Sequence, residues 1–126
     1  MTRFWITLDQ GIELVLMALE QMYGGEIFIP KIPSMKVKDF ILALAPECEL
    51  KIIGIRPGEK LHEVLITPEE ARHTKEFDSH YVILPEYEWW SGHDSYSAGK
   101  ILKDDFCFSS DSNVNWLKRD DVIKMI

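Results

Sequence analysis

The most informative segment of the sequence is IGIRPGEKLHE, which runs from Ile53 to Glu63. The apolar residues around its start predict a buried strand over Leu50–Ile55, and Arg56 follows at the carboxyl end of that strand. Pro57-Gly58 then predicts a tight turn, because proline presets its own φ and glycine adopts a positive φ at little cost. We expect Glu59 to open the next helix, since a carboxylate favours the positive end of a helix.

The two charged side chains of this turn have the chemistry to bind a nucleotide-sugar. Arg56 precedes a proline, so its backbone favours the extended region, and its planar guanidinium matches the oxygens of a diphosphate. Three residues later, Glu59 can accept two hydrogen bonds from a vicinal diol. A surface salt bridge across the turn is the alternative explanation of the same spacing.

The other elements follow from hydrophobic periodicity and from capping residues. Helices are predicted over Leu8–Met22, Lys38–Ala45, Lys60–Leu65 and Asp120–Ile126 and from Thr67-Pro68-Glu69-Glu70 onward; strands are predicted over Glu26–Ile29, Leu50–Ile55 and Tyr81–Leu84, with an extended piece over Lys103–Phe108. The expected inward contacts of two of these helices are Phe40, Ile41 and Leu44, and Val122, Ile123 and Ile126. We therefore predict an α/β fold, with 1–126 forming a single small lobe of about one domain.

The first helix is apolar around much of its circumference. The stripe expected to face inward consists of Ile12, Val15, Leu16, Leu19 and Met22. Leu14, Met17 and Ala18 lie off that stripe and are expected to form a bare face. Because an exposed apolar face usually marks an interface, we predict self-association or a docked partner there.

Charge and composition exclude some classes of partner. The formal net charge is −7, which argues against nucleic acid, whose phosphates demand a basic surface. Local cations still permit a small anionic ligand; they are Arg3, Lys31, Lys36, Arg56 and Lys60. The histidines lack the ligand spacing of a metal site, so no metal is expected.

Cysteine usage and hydropathy indicate a compartment. Cys48 and Cys107 stand alone, so we expect small apolar residues rather than a disulfide, in a reducing cytoplasm. Met1 is followed by no basic-then-apolar leader, and no apolar run reaches the roughly 20 residues that span a bilayer. We therefore expect a cytoplasmic protein that does not bind membranes.

Five segments together resemble one enzyme family. They are MTRFWIT (1–7), GGEIFIPKIPSMK (24–36), IGIRPGEKLHE (53–63), EFDSHYVILP (76–85) and SSDSNVNWL (109–117). In order and spacing they are similar to the C-terminal part of the inverting UDP-N-acetylglucosamine 4,6-dehydratases, which are extended short-chain dehydrogenases/reductases that act in the biosynthesis of surface polysaccharides and glycans. Residues 86–103 follow no pattern of that family.

The resemblance implies a substrate-binding lobe that lacks the Rossmann domain. By match to the family motifs, Arg56 would bind the diphosphate of UDP-N-acetylglucosamine and Glu59 the ribose hydroxyls, while Thr2 and Arg3 would line the same UDP pocket. The NADP site and the acid/base residues of the family lie in its N-terminal two-thirds. We therefore expect no cofactor and no catalytic residue in this chain, which is not catalytic alone and would depend on a Rossmann-domain partner.

Two other functions are compatible with the sequence. The lobe resembles the same part of the nucleotide-sugar epimerases, although those relatives tend to carry a histidine after the arginine, where this chain has Pro57. Alternatively, the chain is an assembly module that docks a partner through its apolar first helix and binds no ligand of its own.

Overall fold

The computed structural model describes residues 1–125, so the predicted contact of Ile126 lies outside the described residues. In chain order the elements are β1 (Thr2–Phe4), α1 (Leu8–Gln21), β2 (Ile27–Pro30), β3 (Ser34–Lys36), α2 (Val37–Leu44), β4 (Val64–Ile66), α3 (Pro68–Ala71), β5 (Thr74–Glu76), β6 (His80–Ile83), a 3₁₀ helix (His93–Tyr96), β7 (Lys100–Ile101), β8 (Phe108–Ser109) and α4 (Arg119–Lys124). They form two compact units: unit 1 comprises Met1–Thr7, Ile32–Val64 and the chain from Ser109 onward, and unit 2 comprises Leu8–Lys31 and Leu65–Phe108. Among residues 1–125, no helix combines the length and the apolar character needed to cross a membrane.

Unit 1 is built on the antiparallel pair of β1 and β3, in which Arg3 lies opposite Met35. Helices α2 and α4 pack together over a small core. The buried members of that core are Met35, Ala43 and Val122, with Trp5, Phe40 and Leu117 partly buried against them. The rings of Trp5 and Phe40 stack with their centroids 3.7 Å apart, so the residue that follows β1 is anchored to α2.

The motif SSDSNVNWL joins the end of unit 1 to β3. The side-chain amide of Asn113 donates to the carbonyl of Ile32 at 2.9 Å and to the hydroxyl of Ser34 at 2.9 Å. The backbone N–H of Leu117 donates to the carbonyl of Ser34, also at 2.9 Å. These bonds satisfy buried polar groups at the edge of β3, which would otherwise destabilise the unit.

Unit 2 contains a four-stranded antiparallel sheet in the order β2-β6-β5-β7. Strand β6 lies inside this sheet and all four of its residues are buried. The core of the unit consists of Val82, Leu84, Trp90 and Tyr96, with Phe28 and Phe77 packed against them. Trp90 and Tyr96 come from residues 86–103, so the segment without a family pattern supplies half of the buried cluster.

Most of the predicted elements are confirmed within a residue or two. The helix predicted over Lys38–Ala45 is α2, the strand predicted over Tyr81–Leu84 is β6, and Glu26–Ile29 corresponds to β2. Helix α3 begins at the predicted capping box, in which Thr67 and Glu70 each accept a hydrogen bond from the other's backbone N–H.

The predicted strand over Leu50–Ile55 is wrong. These residues form an irregular exposed segment, in which Ile52 is 94% exposed. Gly54 has a φ of +86°, which interrupts the extended backbone in the middle of the apolar run. An apolar run becomes a buried strand only where neighbours cover it, and the described part of this chain provides no such cover.

The predicted helix over Lys60–Leu65 is also wrong, because the backbone carbonyls there have distant partners. The carbonyl of Lys60 accepts from the side chain of Arg3, that of Leu61 accepts from the N–H of Thr2, and that of Glu63 accepts from the N–H of Ser110. These acceptors are therefore not available to a helical ladder, and Val64–Ile66 continues as strand β4.

Several smaller predictions at the ends of elements also fail. Residues Ile41, Leu44 and Ile123 are exposed, and in α2 the buried residue is Ala43 instead. The predicted contacts of Phe40 and Val122 are confirmed. The predicted extended piece over Lys103–Phe108 is mostly turn and irregular backbone, with β8 starting at its last residue. The side chains of Cys48 and Cys107 are only partly buried.

Helix α1 presents the opposite face from the one expected. The predicted inward stripe is exposed, with Leu16 at 56% and Leu19 at 62%, whereas Leu14, Met17 and Ala18 are half-buried. Both faces are apolar, so periodicity alone could not decide which one would be covered. The bare face of α1 is therefore the one that carries Leu16 and Leu19.

The carboxylate of Glu26 closes the turn that follows α1. It accepts hydrogen bonds from the backbone N–H groups of Tyr23 and Gly24, both at 2.7 Å, and from the hydroxyl of Tyr96 at 2.9 Å. Burial alone would raise the pKa of Glu26, but the bonds from Tyr23, from its own N–H, from Tyr96 and from Gly24 together lower this pKa below its ordinary value.

We predict that Glu26 stabilises the protein above its unfolded-state pKa and loses this effect in acid. Because the folded-state pKa is lowered, the contribution is complete above the ordinary value near 4.5 and disappears as the pH falls through the folded-state value. Glu26→Gln should lower the free energy of unfolding at neutral pH by about 1–3 kcal/mol. It should also flatten the acid limb of stability against pH in urea unfolding. An unchanged acid limb would contradict this role.

We also predict that the exposed face of α1 drives self-association. Leu16→Glu and Leu19→Glu should shift sedimentation toward monomer with little change in stability, because both side chains are already mostly in water. Leu14→Glu, on the half-buried face, is the matched control and should destabilise the fold instead. If the unmodified chain sediments as a monomer at micromolar concentrations, this surface does not self-associate.

Candidate functional site

The predicted Pro57-Gly58 turn is confirmed and has the features of a type II β-turn. Proline occupies its second position, and Gly58 occupies the third with a φ of +79°. The N–H of Glu59 donates to the carbonyl of Arg56 at 3.0 Å, which closes the turn. In return, Oε2 of Glu59 accepts from the N–H of Arg56, also at 3.0 Å.

This reciprocal bonding leaves the charged end of Arg56 available. Arg56 is exposed, and within residues 1–125 its guanidinium has no hydrogen bond or ion pair. The alternative salt bridge between Arg56 and Glu59 does not form, because the carboxylate is bonded to the backbone instead. The turn thus presents five guanidinium donors and one carboxylate oxygen, Oε1 of Glu59, for an external partner.

Arg3 has a different role from Arg56 in the structure. Its Nη1 donates to the carbonyl of Thr2 at 2.7 Å, its Nη2 donates to the carbonyl of Lys60 at 2.8 Å, and its Nε lies 3.4 Å from Oε1 of Glu63. The backbone N–H of Thr2 donates to the carbonyl of Leu61 at 2.9 Å. Arg3 and Thr2 therefore fix the residues that follow the turn alongside strand β1.

Thr2 is also the centre of a buried polar cluster. Its Oγ1 lies 2.8 Å from Nδ1 of His62 and 2.7 Å from Oγ of Ser110. Thr2 and Ser110 are buried, and His62 is partly buried. No local sequence signal predicted the role of Ser110, because Ser110 contacts Thr2 across 108 positions of the chain.

The neighbouring serine orders the loop that carries Ser110. The hydroxyl of Ser109 forms a short hydrogen bond with Oδ1 of Asp111 and a longer one, 3.2 Å, with the carbonyl of Glu63. The bond from Ser109 lowers the pKa of Asp111 against the opposing effect of burial, helped by its own backbone N–H, by His62 and by Ser112. Asp111 is therefore an anion at neutral pH and does not serve as a proton donor there.

The four predicted site residues, Thr2, Arg3, Arg56 and Glu59, all belong to unit 1. The predicted cation Lys31 belongs to unit 2, where its ammonium pairs with Glu76 at 2.7 Å. Lys31 is thus already neutralised by a carboxylate. The basic groups of unit 1 around the turn are Arg3, Arg56 and Lys60, and only Arg56 combines a planar fork with a charge that no described residue pairs.

A Tyr-x-x-x-Lys spacing, the proton-transfer couple of the short-chain dehydrogenases/reductases, occurs at Tyr96–Lys100. The hydroxyl of Tyr96 is buried and bonded to Glu26 and to the carbonyl of Gln21, and Lys100 lies on the exposed strand β7. Burial and the hydrogen bond to Glu26 raise the pKa of Tyr96, whereas a tyrosine base needs a lowered pKa. Tyr96 therefore packs in the core of unit 2, and its environment does not suit proton transfer with Lys100.

The described residues do not fit a dinucleotide cofactor such as NADP. Binding its pyrophosphate requires a glycine-rich turn between a parallel strand and the start of a helix. Gly24 and Gly25, both with positive φ, follow a helix and precede an antiparallel strand, and Gly58 precedes no helix. No chemical step is therefore assigned to a nicotinamide in this chain.

Comparison with protein families identifies the lineage. The model of the family described as "Polysaccharide biosynthesis protein" matches residues 1–85, about two thirds of the chain. The chain belongs to this family. The matched region contains β1, the Arg56–Glu59 turn and His62, and it ends immediately before the segment that supplies Trp90 and Tyr96.

Relatives in this polysaccharide biosynthesis family have names that refer to UDP-sugars. The chain is 46% identical over 132 residues to the UDP-N-acetylglucosamine 4,6-dehydratase (inverting) of Campylobacter jejuni; the match covers 100% of this chain and 40% of that protein. It is 36% identical over 87 residues to the UDP-glucose 4-epimerase of Rickettsia felis, covering 66% of this chain and 26% of that protein. The chain thus spans less than half the length of these relatives.

A solved structure supports the fold. The X-ray structure of Pen from Bacillus thuringiensis matches with a TM-score of 0.77 at 27% identity, covering 100% of this chain and 37% of that chain. The predicted α/β lobe is therefore confirmed. The resemblance found in the sequence is confirmed by the family match and by the relatives.

We predict that the positive φ of Gly58 is essential to the turn, and a second glycine provides the control. A Cβ at Gly58 or at Gly11 of α1 would meet nothing within 4 Å, so neither substitution creates a clash. Gly58→Ala should destabilise the protein by about 1 kcal/mol, because alanine rarely adopts a φ of +79°. Gly11→Ala should stabilise it by up to ~1 kcal/mol through helix propensity. Urea unfolding of both variants measures the difference, and equal effects would contradict the role of φ.

Proposed function

We propose that this chain is the UDP-sugar-binding portion of a UDP-N-acetylglucosamine 4,6-dehydratase that acts in surface polysaccharide or glycan biosynthesis. The observation that carries this proposal is the identity of 46% over the whole chain with a protein of that name. The epimerase match supports a nucleotide-sugar lobe in general, but its identity of 36% extends over only 66% of the chain. The sequence identities therefore support a dehydratase more strongly than an epimerase as the enzyme to which this lobe belongs.

In this proposal Arg56 binds the diphosphate. The turn holds the backbone of Arg56 through two hydrogen bonds, so the guanidinium is attached at a fixed point and binding need not order this part of the backbone. The bond to two phosphate oxygens is charge-assisted and bidentate, which a point charge such as an ammonium does not reproduce.

Glu59 binds the ribose hydroxyls in the same proposal. Oε2 of Glu59 is committed to the N–H of Arg56, and Oε1 is the atom that accepts from a hydroxyl. One carboxylate thus shapes the turn and contacts the ligand. Thr2 and Arg3 line the pocket from β1, where their side chains hold residues 60–63 in place.

In this proposal these residues bind and orient the substrate, and none of residues 1–125 is given a role as a proton or hydride acceptor. The intact enzyme would draw its redox chemistry from NADP, which the described residues do not fit. We therefore propose that turnover depends on a Rossmann-type domain, and that ligand binding is the property to measure on this chain.

A second candidate function rests on helix α1. Its exposed face carries large apolar side chains, including Leu16 and Leu19, which is the surface an assembly module would use. The two functions make different demands on the turn, because docking through α1 needs neither Arg56 nor Glu59.

We predict a weak UDP site centred on Arg56 and Glu59. Arg56→Lys should weaken UDP binding more than UMP binding, because lysine keeps the charge but loses the fork that spans two phosphates. Glu59→Gln should weaken UDP more than its 2′,3′-dideoxy analogue, which has no diol to lose. NMR titration of the amide resonances of Ile53–Glu63 measures all four affinities, which we expect near the millimolar range.

The two ligand pairs are the controls, since a general loss of structure would weaken both members of each pair equally. Glutamine retains an oxygen that can accept from the N–H of Arg56, so Glu59→Gln should preserve the turn. If UDP shifts no resonance in Ile53–Glu63 of the folded chain, the binding proposal is wrong for this chain and the assembly function is favoured.

A further inference from the structure

In unit 1 two buried hydroxyl groups and one histidine form a continuous series of hydrogen bonds. The N–H of Glu63 donates to Oγ of Ser110 at 2.9 Å, Ser110 bonds to Oγ1 of Thr2 at 2.7 Å, and Thr2 bonds to Nδ1 of His62 at 2.8 Å. The series begins and ends on adjacent residues, Glu63 and His62. It therefore forms a closed connection between β1, the loop of Ser110 and the residues that follow the Arg56–Glu59 turn.

The protons in this series have only one arrangement that leaves none unpaired. Ser110 accepts the N–H of Glu63, and its own hydroxyl proton is fully buried with Thr2 as the acceptor that the described residues provide. Ser110 therefore donates to Thr2. Each hydroxyl carries one proton, so Thr2 in turn donates to Nδ1 of His62, which must be the acceptor.

The opposite direction carries a cost. If Nδ1 of His62 carried a proton and donated to Thr2, Thr2 would donate to Ser110, and the buried proton of Ser110 would lose its acceptor. An unsatisfied buried hydroxyl costs about 1–3 kcal/mol. The geometry thus selects the tautomer in which Nδ1 accepts the bond from Thr2 and the ring proton lies on Nε2.

We propose that Thr2, Ser110 and His62 are positioning residues for the nucleotide-sugar site: their directed hydrogen bonds, together with the bonds of Arg3, fix residues 60–63 and so set where Arg56 and Glu59 point. This inference rests on the proposed function of Arg56 and Glu59. It differs from the family expectation for Thr2, because the hydroxyl of Thr2 acts through His62 and is fully engaged within the protein.

His62 and the Arg56–Glu59 turn are connected by a short stretch of backbone. Only Lys60 and Leu61 separate Glu59 from His62, and the carbonyls of both accept bonds from β1. The three residue steps from Glu59 to His62 span at most about 11 Å, so a displacement of His62 is transmitted to the turn. The turn is internally rigid, and it therefore moves as a body when its anchor moves.

The first test uses the unmodified chain without ligand. Two-bond ¹H–¹⁵N correlation spectra of the histidine rings, recorded at mildly alkaline pH, distinguish a protonated from an unprotonated Nδ1. We expect His62 to have an unprotonated Nδ1 and a protonated Nε2. A protonated Nδ1 would overturn the directed series, and this outcome does not depend on any variant or on UDP.

The second test compares two substitutions at one atom. Thr2→Val keeps the shape of the side chain but removes the hydroxyl, whereas Thr2→Ser keeps the hydroxyl. Thr2→Val should shift the amide resonances of Arg56–Glu59, alter the nitrogen shifts of His62, and weaken UDP binding by about three- to tenfold, the loss expected for one hydrogen bond. Thr2→Ser should restore all three properties.

The readouts separate this inference from the proposed function. If UDP binds neither the unmodified chain nor the variants while Thr2→Val still shifts Arg56–Glu59, the positioning holds and the binding proposal fails. If UDP binds and Thr2→Val leaves both its affinity and these resonances unchanged, the positioning proposal fails. Should Thr2→Val not fold, the tautomer of His62 in the unmodified chain decides the question alone.

Discussion

The bonds between strand β1 and the backbone of residues 60–63 are the constraint on which the candidate site depends. This segment is neither helix nor sheet, so its carbonyl groups need partners that secondary structure does not supply. The N–H of Thr2 bonds to the carbonyl of Leu61, and the side chain of Arg3 bonds to that of Lys60. The same planar side chain also reaches the carbonyl of Thr2 and the carboxylate of Glu63. Hydrogen bonds from a charged donor contribute roughly 1.5–3 kcal/mol each, more than neutral ones. An ammonium could not bridge three acceptors in fixed directions.

In unit 2, backbone groups that secondary structure leaves unpaired are bonded by a carboxylate. The turn after α1 leaves two backbone N–H groups without helical partners, and the carboxylate of Glu26 accepts both. The third bond, from Tyr96, explains why a tyrosine with catalytic spacing to Lys100 has no catalytic environment: its proton is held by an acceptor inside the core. Two residues with a catalytic spacing have catalytic chemistry only if the surrounding structure supports it. Here Tyr96 lies on a 3₁₀ helix and Lys100 on a strand, so the two side chains do not share one helix face.

Local chemistry predicted local structure well and long-range structure poorly. The Pro57-Gly58 turn and the capping box of Thr67 and Glu70 depend on residues within four positions of each other, and both are present. The strand expected over Leu50–Ile55 failed because burial depends on what lies beside a segment. The orientation of α1 failed for the same reason, since both of its faces are apolar. At the candidate site, spacing alone led to the prediction for Arg56 and Glu59, which stays a prediction, whereas the link from Thr2 to Ser110 required the fold to bring together residues 108 positions apart.

The two arginines of the site illustrate how a protein separates structure from recognition. Arg3 is partly buried, and its side chain donates hydrogen bonds to acceptors within the protein. Its charge is balanced by Glu63. Arg56 is exposed and unpaired among the described residues, but an exposed ion pair in water is worth at most about 1 kcal/mol. Charge alone therefore cannot produce specific binding at Arg56, least of all on a chain with a net charge of −7. What the fold adds is position: the turn fixes the backbone of Arg56, and Arg3 and Thr2 fix the residues after the turn. In the proposed function, a ligand with two phosphates therefore meets a guanidinium that is attached at a fixed point of the chain.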